Sequence, residues 1–187
     1  YDVGANGGAV SLLYAANIAS NNNGGIPDNS IYSFETSVST FSRLCKNIST
    51  NDWNGKIIPV SLPLSDKVEK CNFAVTTLES GSSGHSVQKS QIDTSTLQFP
   101  TLCVSADYLI EVFQFNPPTF LKIDVDGHDF EVLLGCKNIL SKGHIQSILI
   151  EKNQNEQKIR DFLFSFGFVE TSLIGSLSSI NLRFDRV

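Results

Sequence analysis

The sequence predicts an α/β fold built on a mostly parallel sheet with helices on both faces, and three observations support this. Strand-like and helix-like patterns alternate along most of the 187 residues. The segment "TFLKIDV" (119–125) has the character of a strand that is apolar on both faces, which is typical of parallel strands covered by helices. The last two strand-like segments, "FVETSL" and "INLRFDR", are expected to form an antiparallel pair. Alternation of this kind indicates βαβ units.

Each element is predicted from its apolar spacing and from the turn residues around it. The helix after 119–125 is expected to turn Phe130, Leu133 and Leu134 inward. The predicted strands are 1–4, 31–35, 56–62, 119–125, 146–151, 168–173 and 180–186, and the predicted helices are 8–19, 37–47, 156–166 and one that starts near 130.

The alternation breaks in the Ser/Thr-rich segment 70–106. Strand candidates at 71–78 and 101–104 flank a polar stretch, so we expect a hairpin insertion there that covers an acceptor site. His85 lies in its tip, "GSSGHS", where a histidine is more often simply exposed. The whole chain is expected to form one domain, because its length suits a single core and nothing in it resembles a linker.

Composition excludes several classes of protein. The net charge is -5 and basic residues form no run or stripe, so there is no electrostatic basis for a nucleic-acid partner. No apolar run is long enough to span a bilayer. The four cysteines lack C-x-x-C spacing, which argues against structural zinc and a disulfide framework and favours free thiols in a reducing, cytoplasmic location. The sequence opens on a strand and contains no methionine, so we expect an N-terminal segment to be missing.

In a parallel α/β sheet, ligands bind beyond the carboxyl ends of the strands. The first strand ends in "DVGANGG", a glycine loop leading into a helix, which suits close approach of backbone N–H groups to a ligand. A dinucleotide fingerprint would need glycine where Asn6 stands, so the nicotinamide interpretation is weakened. An ordinary tight turn and a nucleotide-like ligand both stay open.

Glu35 ends the second predicted strand. The two oxygens of a carboxylate match the vicinal hydroxyls of a ribose, and this role fits a site that also contains the glycine loop. Capping of the helix that follows is the alternative.

The segment "DVDGHD" (124–129) concentrates three acids and a histidine after one strand. An EF-hand is excluded because the glycine is fourth and not sixth. Capping accounts for Asp126 or Asp129 but not for Asp124, which is the main functional candidate. His128 is either a general base or a solvated residue of the first helical turn, and a metal held by Asp124, Asp126 and His128 has no spacing to support it.

Glu151 adds a carboxylate at the end of the next strand. A carboxylate at one more strand end is hard to explain by capping.

Taken together, the segments resemble the FkbM-type methyltransferases, a branch of the S-adenosylmethionine-dependent class I superfamily. The motifs that carry the resemblance, in order, are "YDVGANGGAVSL", "SFETSVSTFSRLCKNI", "LPLSD", "FLKIDVDGHDFEVLLGCKNIL" and "ILIE". The sequence departs from the family pattern at Thr36, Pro63, Asp126 and Asp129, the last two standing where glutamate is usual.

The resemblance implies a Rossmann-like class I methyltransferase fold, with a seven-stranded sheet and an antiparallel last strand, and S-adenosylmethionine as cofactor with S-adenosylhomocysteine as product. It implies the following cofactor contacts: Asp2 toward the methionine amino group, Gly4, Ala5, Asn6 and Gly8 along the amino-acid and ribose portion, Glu35 on the ribose hydroxyls, Leu64 and Ser65 beside the adenine, and Asp124 beneath the sulfonium. No residue is assigned as a metal ligand, and the sequence does not show whether a metal assists.

The predicted reaction is methyl transfer to a hydroxyl of a sugar or other small molecule. We hypothesise that His128 removes the proton and that Asp124 or Glu151 positions it, because these groups end adjacent strands. Two alternatives stay open: a nicotinamide-dependent oxidoreductase on the same sheet, and a non-catalytic domain that keeps the cofactor pocket. The sequence does not define the acceptor or the oligomeric state.

Overall fold

The computed structural model describes residues 1–21, 26–27, 30–75, 86–88, 97–173 and 180–187. Seven strands form the main sheet in the order β3-β2-β1-β7-β8-β10-β9, and three others form a small sheet in the order β5-β4-β6. The main sheet is mostly parallel, and β10 runs antiparallel to both of its neighbours. The predicted fold class is therefore confirmed.

The elements are as follows. The strands of the main sheet are β1 (Asp2–Val3), β2 (Ile31–Phe34), β3 (Ile57–Val60), β7 (Phe120–Ile123), β8 (Ser147–Glu151), β9 (Phe168–Thr171) and β10 (Asn181–Arg186), and those of the small sheet are β4 (Glu69–Val75), β5 (Ser86–Gln88) and β6 (Leu97–Cys103). The helices are α1 (Ala9–Asn21), α2 (Val38–Thr50), α3 (Ala106–Phe113), α4 (Asp129–Leu134), α5 (Lys137–Ser141) and α6 (Glu156–Ser165).

The chain divides into two compact units. The first comprises Tyr1–Pro63 and Lys70–Leu102. Its strands β1, β2 and β3 pair in parallel, and a buried apolar cluster lies among α1, α2 and these strands. The cluster consists of Ala5, Ala15, Ile26, Ile31, Leu44, Ile48 and Ile57. Burial of this cluster stabilises the strands of the first unit, and the glycine loop starts at the end of β1.

The second unit comprises Leu64–Glu69 and Cys103–Val187. In it β7 and β8 pair in parallel, while β10 pairs antiparallel with β8 and β9, as predicted for the two final strands. One face of these strands is apolar and buried, and its residues are Leu121, Ile123, Ile148, Ile150, Leu182 and Phe184. This face holds the unit together and leaves the opposite face to polar side chains.

Arg186 fixes the last strand of the second unit. Its guanidinium donates to three backbone carbonyls, those of Leu140, Ile145 and Phe166, and lies 4.6 Å from the centroid of the Phe168 ring. A planar cation with several donors suits such a position. Arg186 thereby satisfies the carbonyls of three separate segments.

Several predictions about local structure were wrong. Strand β7 is not apolar on both faces, because Lys122 is on one of them and is buried. The inward residues of α4 are Val132 and Leu133, while Phe130 and Leu134 are half-buried. Helices α3 and α5 were not predicted.

In the described residues of 70–106, β4, β5 and β6 form a three-stranded sheet and α3 begins at Ala106, where a hairpin insertion was predicted. The tip of the insertion and His85 lie outside the described residues, and its role as a cover over the acceptor stays a prediction.

The prediction of four free thiols was wrong for two of them. Cys71 and Cys103 are disulfide-bonded, whereas Cys45 and Cys136 are free. Cysteine spacing reveals no pairing by itself, because strand pairing decides which sulfur atoms approach one another. The cytoplasmic location, which rested on free thiols, stays a prediction. Within the ranges that the structure describes, no helix is both long and apolar enough to cross a membrane.

Candidate functional site

The glycine loop of the first unit runs from the end of β1 into α1 and has a left-handed backbone. Gly4, Asn6 and Gly8 have φ values of 75°, 50° and 86°. The N–H groups of Gly4 and Ala5 both donate to the carbonyl of Phe34 at the end of β2. Asparagine tolerates the left-handed region better than most residues do, so Asn6 keeps a turn that is otherwise made by glycine.

Glu35 holds this loop from the neighbouring strand end. Its Oε2 accepts the backbone N–H of Asn6 at 3.0 Å, and its Oε1 accepts the N–H of Ser37, just before α2, at 2.8 Å. Sequence reasoning singled out Glu35 but not its bond to Asn6. A carboxylate can accept about four hydrogen bonds, and two of those of Glu35 go to the loop and to the start of α2.

Asp2 is buried at the end of β1, with 4% exposure. Its Oδ2 accepts the hydroxyl of Ser11 on α1 at 2.6 Å, and Ser11 in turn lies 2.7 Å from the hydroxyl of Ser33 on β2. This chain of hydrogen bonds fixes the start of α1 against two strand ends. A role for Asp2 toward an amino group stays a prediction.

In the second unit, Leu64 and Ser65 are consecutive, and Leu64 forms an isolated parallel bridge with Val104. Both are buried, and the N–H of Ser65 donates to the carbonyl of Val104. The Ser65 hydroxyl donates to Asp66 and lies 3.1 Å from Nε2 of His128. The contact with His128 joins residues 63 positions apart, and no local pattern in the sequence indicates it.

His128 lies immediately before α4 and is not a solvated residue, since its side chain is only 13% exposed. Its Nε2 faces Ser65, and its Nδ1 is 3.7 Å from Oε2 of Glu131. Both ring nitrogens therefore have partners within the second unit. The alternative of an exposed first-turn histidine is wrong.

Asp124 directly follows β7 and its side chain is 48% exposed. Its Oδ2 is 3.3 Å from Nζ of Lys122, whose side chain is 8% exposed. Sequence reasoning missed Lys122, although a lysine inside an otherwise apolar strand is a signal, because a buried ammonium needs a counter-charge. The pair gives a carboxylate that is open to solvent on one side and held by a cation on the other.

Asp129, the first residue of α4, is fully buried. Its Oδ1 accepts the N–H of Val125 at 3.3 Å, and its Oδ2 accepts the side-chain amide of Asn153 at 2.7 Å. Burial raises its pKa, and hydrogen bonds such as that from Val125 oppose the rise. Asp129 thus joins the loop after β7 to the segment after β8, which is more than the capping role that sequence analysis offered.

Glu151 ends β8 and is half-buried. Burial raises its pKa, and the negative charges of Asp124, Asp129 and Asp126 raise it further. A carboxylate with a raised pKa is a stronger base than an ordinary one. In the described part of the chain, no group of three or more His, Cys, Asp or Glu residues could hold a metal ion.

The mostly parallel seven-stranded sheet, with antiparallel strands at one edge, is the fold of FkbM methyltransferases. The methyltransferase FkbM domain family matches residues 2–172, so the chain belongs to that family. This confirms the resemblance stated from the sequence motifs.

Two known proteins extend the comparison. The chain is 26% identical over 121 residues to hexuronic acid methyltransferase AglP of Haloferax volcanii, a match that covers 65% of this chain and 46% of that protein. The crystal structure of methyltransferase FkbM from Methylobacillus flagellatus superposes with a TM-score of 0.62 at 12% identity, covering 98% of this chain and 42% of that one. The second likeness shows the fold, and the chain spans less than half the length of either protein.

Proposed function

We propose that the chain is an S-adenosylmethionine-dependent methyltransferase that acts on a hydroxyl of a saccharide, with hexuronic acid sugars as the first acceptors to test. Family membership supports methyl transfer, and the AglP relative motivates the choice of sugar. The observation that carries the cofactor assignment is the bonding of Glu35 to the glycine loop, because it sets a carboxylate and a left-handed turn together at adjacent strand ends.

The residues fit this cofactor by chemistry. Glu35 would hold the ribose hydroxyls, because the two oxygens of a carboxylate match a vicinal diol, and the loop at Gly4–Gly8 would approach the amino-acid portion closely. When bound, the cofactor supplies an electrophilic methyl group carried on a positive sulfonium. Asp124 is the exposed carboxylate suited to such a cation, and it forms an ion pair with Lys122.

We assign removal of the acceptor proton to Glu151. Its pKa is raised by burial and by the neighbouring acids, which brings a carboxylate closer to the basicity that the task needs. The sequence-based hypothesis gave this role to His128, but Ser65 and Glu131 engage both of its nitrogens. His128 is then a positioning residue for the loop after β7.

Calorimetric titration with S-adenosylmethionine and S-adenosylhomocysteine tests the cofactor, with NAD as the competing ligand. We expect saturable binding of the first two and none of NAD. Glu35→Ala should weaken binding roughly 10- to 100-fold, since hydrogen bonds to charged groups contribute about 1.5–3 kcal/mol. Glu111→Ala, which removes an exposed carboxylate from α3, is the matched control and should bind normally. Tight NAD binding, or equal affinity in Glu35→Ala, would contradict the proposal.

A methyl-transfer assay with methyl glucuronide separates the two candidate bases. Glu151→Gln should lower kcat about 10²- to 10⁴-fold, the usual contribution of a general base, and should remove the acidic limb of the pH profile. His128→Gln should lower kcat less and keep that limb. The reverse ranking would return the proton-transfer role to His128.

A further inference from the structure

One face of the second unit's sheet is polar. Directly opposite residues of paired strands project to the same face, and the register pairs Leu149 with Lys122 and Arg183, Asn181 with Glu151, Arg183 with Thr171, and Asp185 with Ser147. We call this surface the polar face. Its polar members are Lys122, Ser147, Glu151, Thr171, Asn181, Arg183 and Asp185.

The polar face is internally ordered around Asp185. This carboxylate accepts hydrogen bonds from Ser147 at 2.6 Å, Thr171 at 2.6 Å and Nε of Arg183 at 3.2 Å. Burial opposes its ionisation, but these hydrogen bonds outweigh burial and hold its pKa below the ordinary value. Arg183 is therefore held in one orientation while its side chain stays 45% exposed.

A cavity of about 210 Å³ lies where β8, β9 and β10 end or begin. Lys152, which directly follows Glu151, lines it together with Asn181 and Arg183 of the polar face. Glu170 also lines it, and its carboxylate is neutralised by Arg160 at 2.8 Å. The volume is below the roughly 300 Å³ at which typical small-molecule sites begin, so the cavity suits one ring of a larger ligand.

The chemistry of this lining suits a sugar. Lys152, Arg183 and the Asn181 amide donate hydrogen bonds, the Asn181 and Glu170 oxygens accept them, and sugar hydroxyls do both. Leu173 and Leu182 add apolar surface for ring C–H groups. Of the lining residues, Glu170 is paired with Arg160, and Arg183 is paired with Asp185, so the lining has a mixed character that does not select a bare anion.

The strand register relates the position of the cavity to Glu151, the proposed base. Asn181 is directly opposite Glu151, and Arg183 lies two residues further along β10, roughly 7 Å away at the usual rise per residue. If a hydroxyl of one sugar ring contacts Glu151, then Arg183 is at a distance where it can contact the next ring. Resting on the function proposed above, we infer that the cavity is a second sugar subsite, so that the acceptor is a disaccharide or longer saccharide.

The inference predicts a length preference. We expect kcat/KM for a disaccharide of glucuronic acid linked to glucose to exceed that for methyl glucuronide by at least 10-fold. Arg183→Ala and, separately, Lys152→Ala should reduce this ratio to about 1. Lys158→Ala, which removes an exposed cation of α6 outside the cavity, should keep the preference.

Binding is measured independently of turnover by two-dimensional amide NMR of the 187-residue chain titrated with the same two sugars. The disaccharide should shift amides at 171–173 and 181–183 more than the monosaccharide does, and Arg183→Ala should abolish the difference. Shifts confined to other residues, no shifts, or an unchanged difference in Arg183→Ala would overturn the subsite. If the sugar shifts appear but calorimetry detects no S-adenosylmethionine binding, the proposed function fails and the subsite stands.

Discussion

Two loops of the molecule have the same place in the chain and opposite chemistry. The loop after β1 and the loop after β7 each follow a parallel strand, contain left-handed residues and lead to a helix. The first loop (4–8) contains no acid, and Glu35 on another strand end accepts the backbone N–H of its Asn6. The second has Asp124, Asp126 and Asp129 in its own sequence. A loop with left-handed residues after a parallel strand can thus present either backbone N–H donors or carboxylates.

The two loops also use glycine differently. In the first, Gly8 has φ 86° and a Cβ there would be 2.6 Å from Cδ1 of Leu44, so both conformation and space require glycine. In the second, Gly127 has the same φ but open space around it. The close approach lies instead at Gly135, just after α4, where a Cβ would be 2.0 Å from the carbonyl oxygen of Ser65. Comparing substitutions at these glycines therefore distinguishes the effect of backbone conformation on stability from the effect of packing.

The largest effect is expected for Gly135→Ala. Its backbone conformation accepts alanine, but the new methyl group would meet a backbone oxygen that cannot rotate away. We expect a loss of about 3 kcal/mol in the free energy of unfolding, at the upper end of overpacking costs. Urea denaturation followed by circular dichroism measures it. An unfolding midpoint within error of the unchanged protein would show that Ser65 moves freely, contrary to its full burial.

A smaller effect is expected for Gly8→Ala, measured against Gly127→Ala. Both variants place alanine in the left-handed region, which costs roughly 1–2 kcal/mol. Only Gly8→Ala also presses on the buried Leu44, so it should be less stable than Gly127→Ala by about 1 kcal/mol. Adding Leu44→Val to Gly8→Ala should recover part of that difference. Equal losses in the two single variants would mean that packing around the first loop is loose.

The smallest effect is expected for Glu151→Gln, and it depends on pH. Because the folded-state pKa of Glu151 is raised above its ordinary value of 4.5, its contribution to stability is full below that value and is lost as pH rises through the folded pKa. The amide does not ionise, so the stability of Glu151→Gln relative to the unchanged protein should increase from pH 4 to pH 8. Urea unfolding across that range gives the slope. If the stability of Glu151→Gln relative to the unchanged protein decreased with pH, the pKa of Glu151 would be lowered in the folded protein and not raised.

The sequence predicts the parts of this molecule that depend on local pattern. The positions of Glu35, Asp124 and Glu151 at or just after strand ends follow from apolar periodicity, which indicates where a buried strand stops, whereas Asp2 is the first residue of β1. The family motifs then give the fold and the class of reaction. Helix α3 could also have been predicted from the sequence. Ser105 is an ordinary capping residue before an apolar stretch, and its side chain accepts the N–H of Tyr108.

Other features depend on contacts between distant residues and were not predictable. The amide of Asn153 reaches Asp129 across 24 positions, and the His128 ring reaches Ser65 across 63. Strand register decides that Arg183 and Thr171 share a face with Glu151. Periodicity identifies a strand but leaves its register open, and register is what brings polar side chains together.

Because Cys71 and Cys103 are oxidised, their reduction can be used to measure how fast the structure around them opens. Both residues are buried, with 3% and 0% exposure, so a thiolate in solution cannot reach either sulfur while the surrounding structure is closed. At a thiol concentration high enough for attack to outpace reclosing, reduction should then proceed at the rate at which this region opens and not at the rate of exchange with an exposed disulfide. The half-life of the bond in dithiothreitol would measure that opening directly, without denaturant and without any ligand.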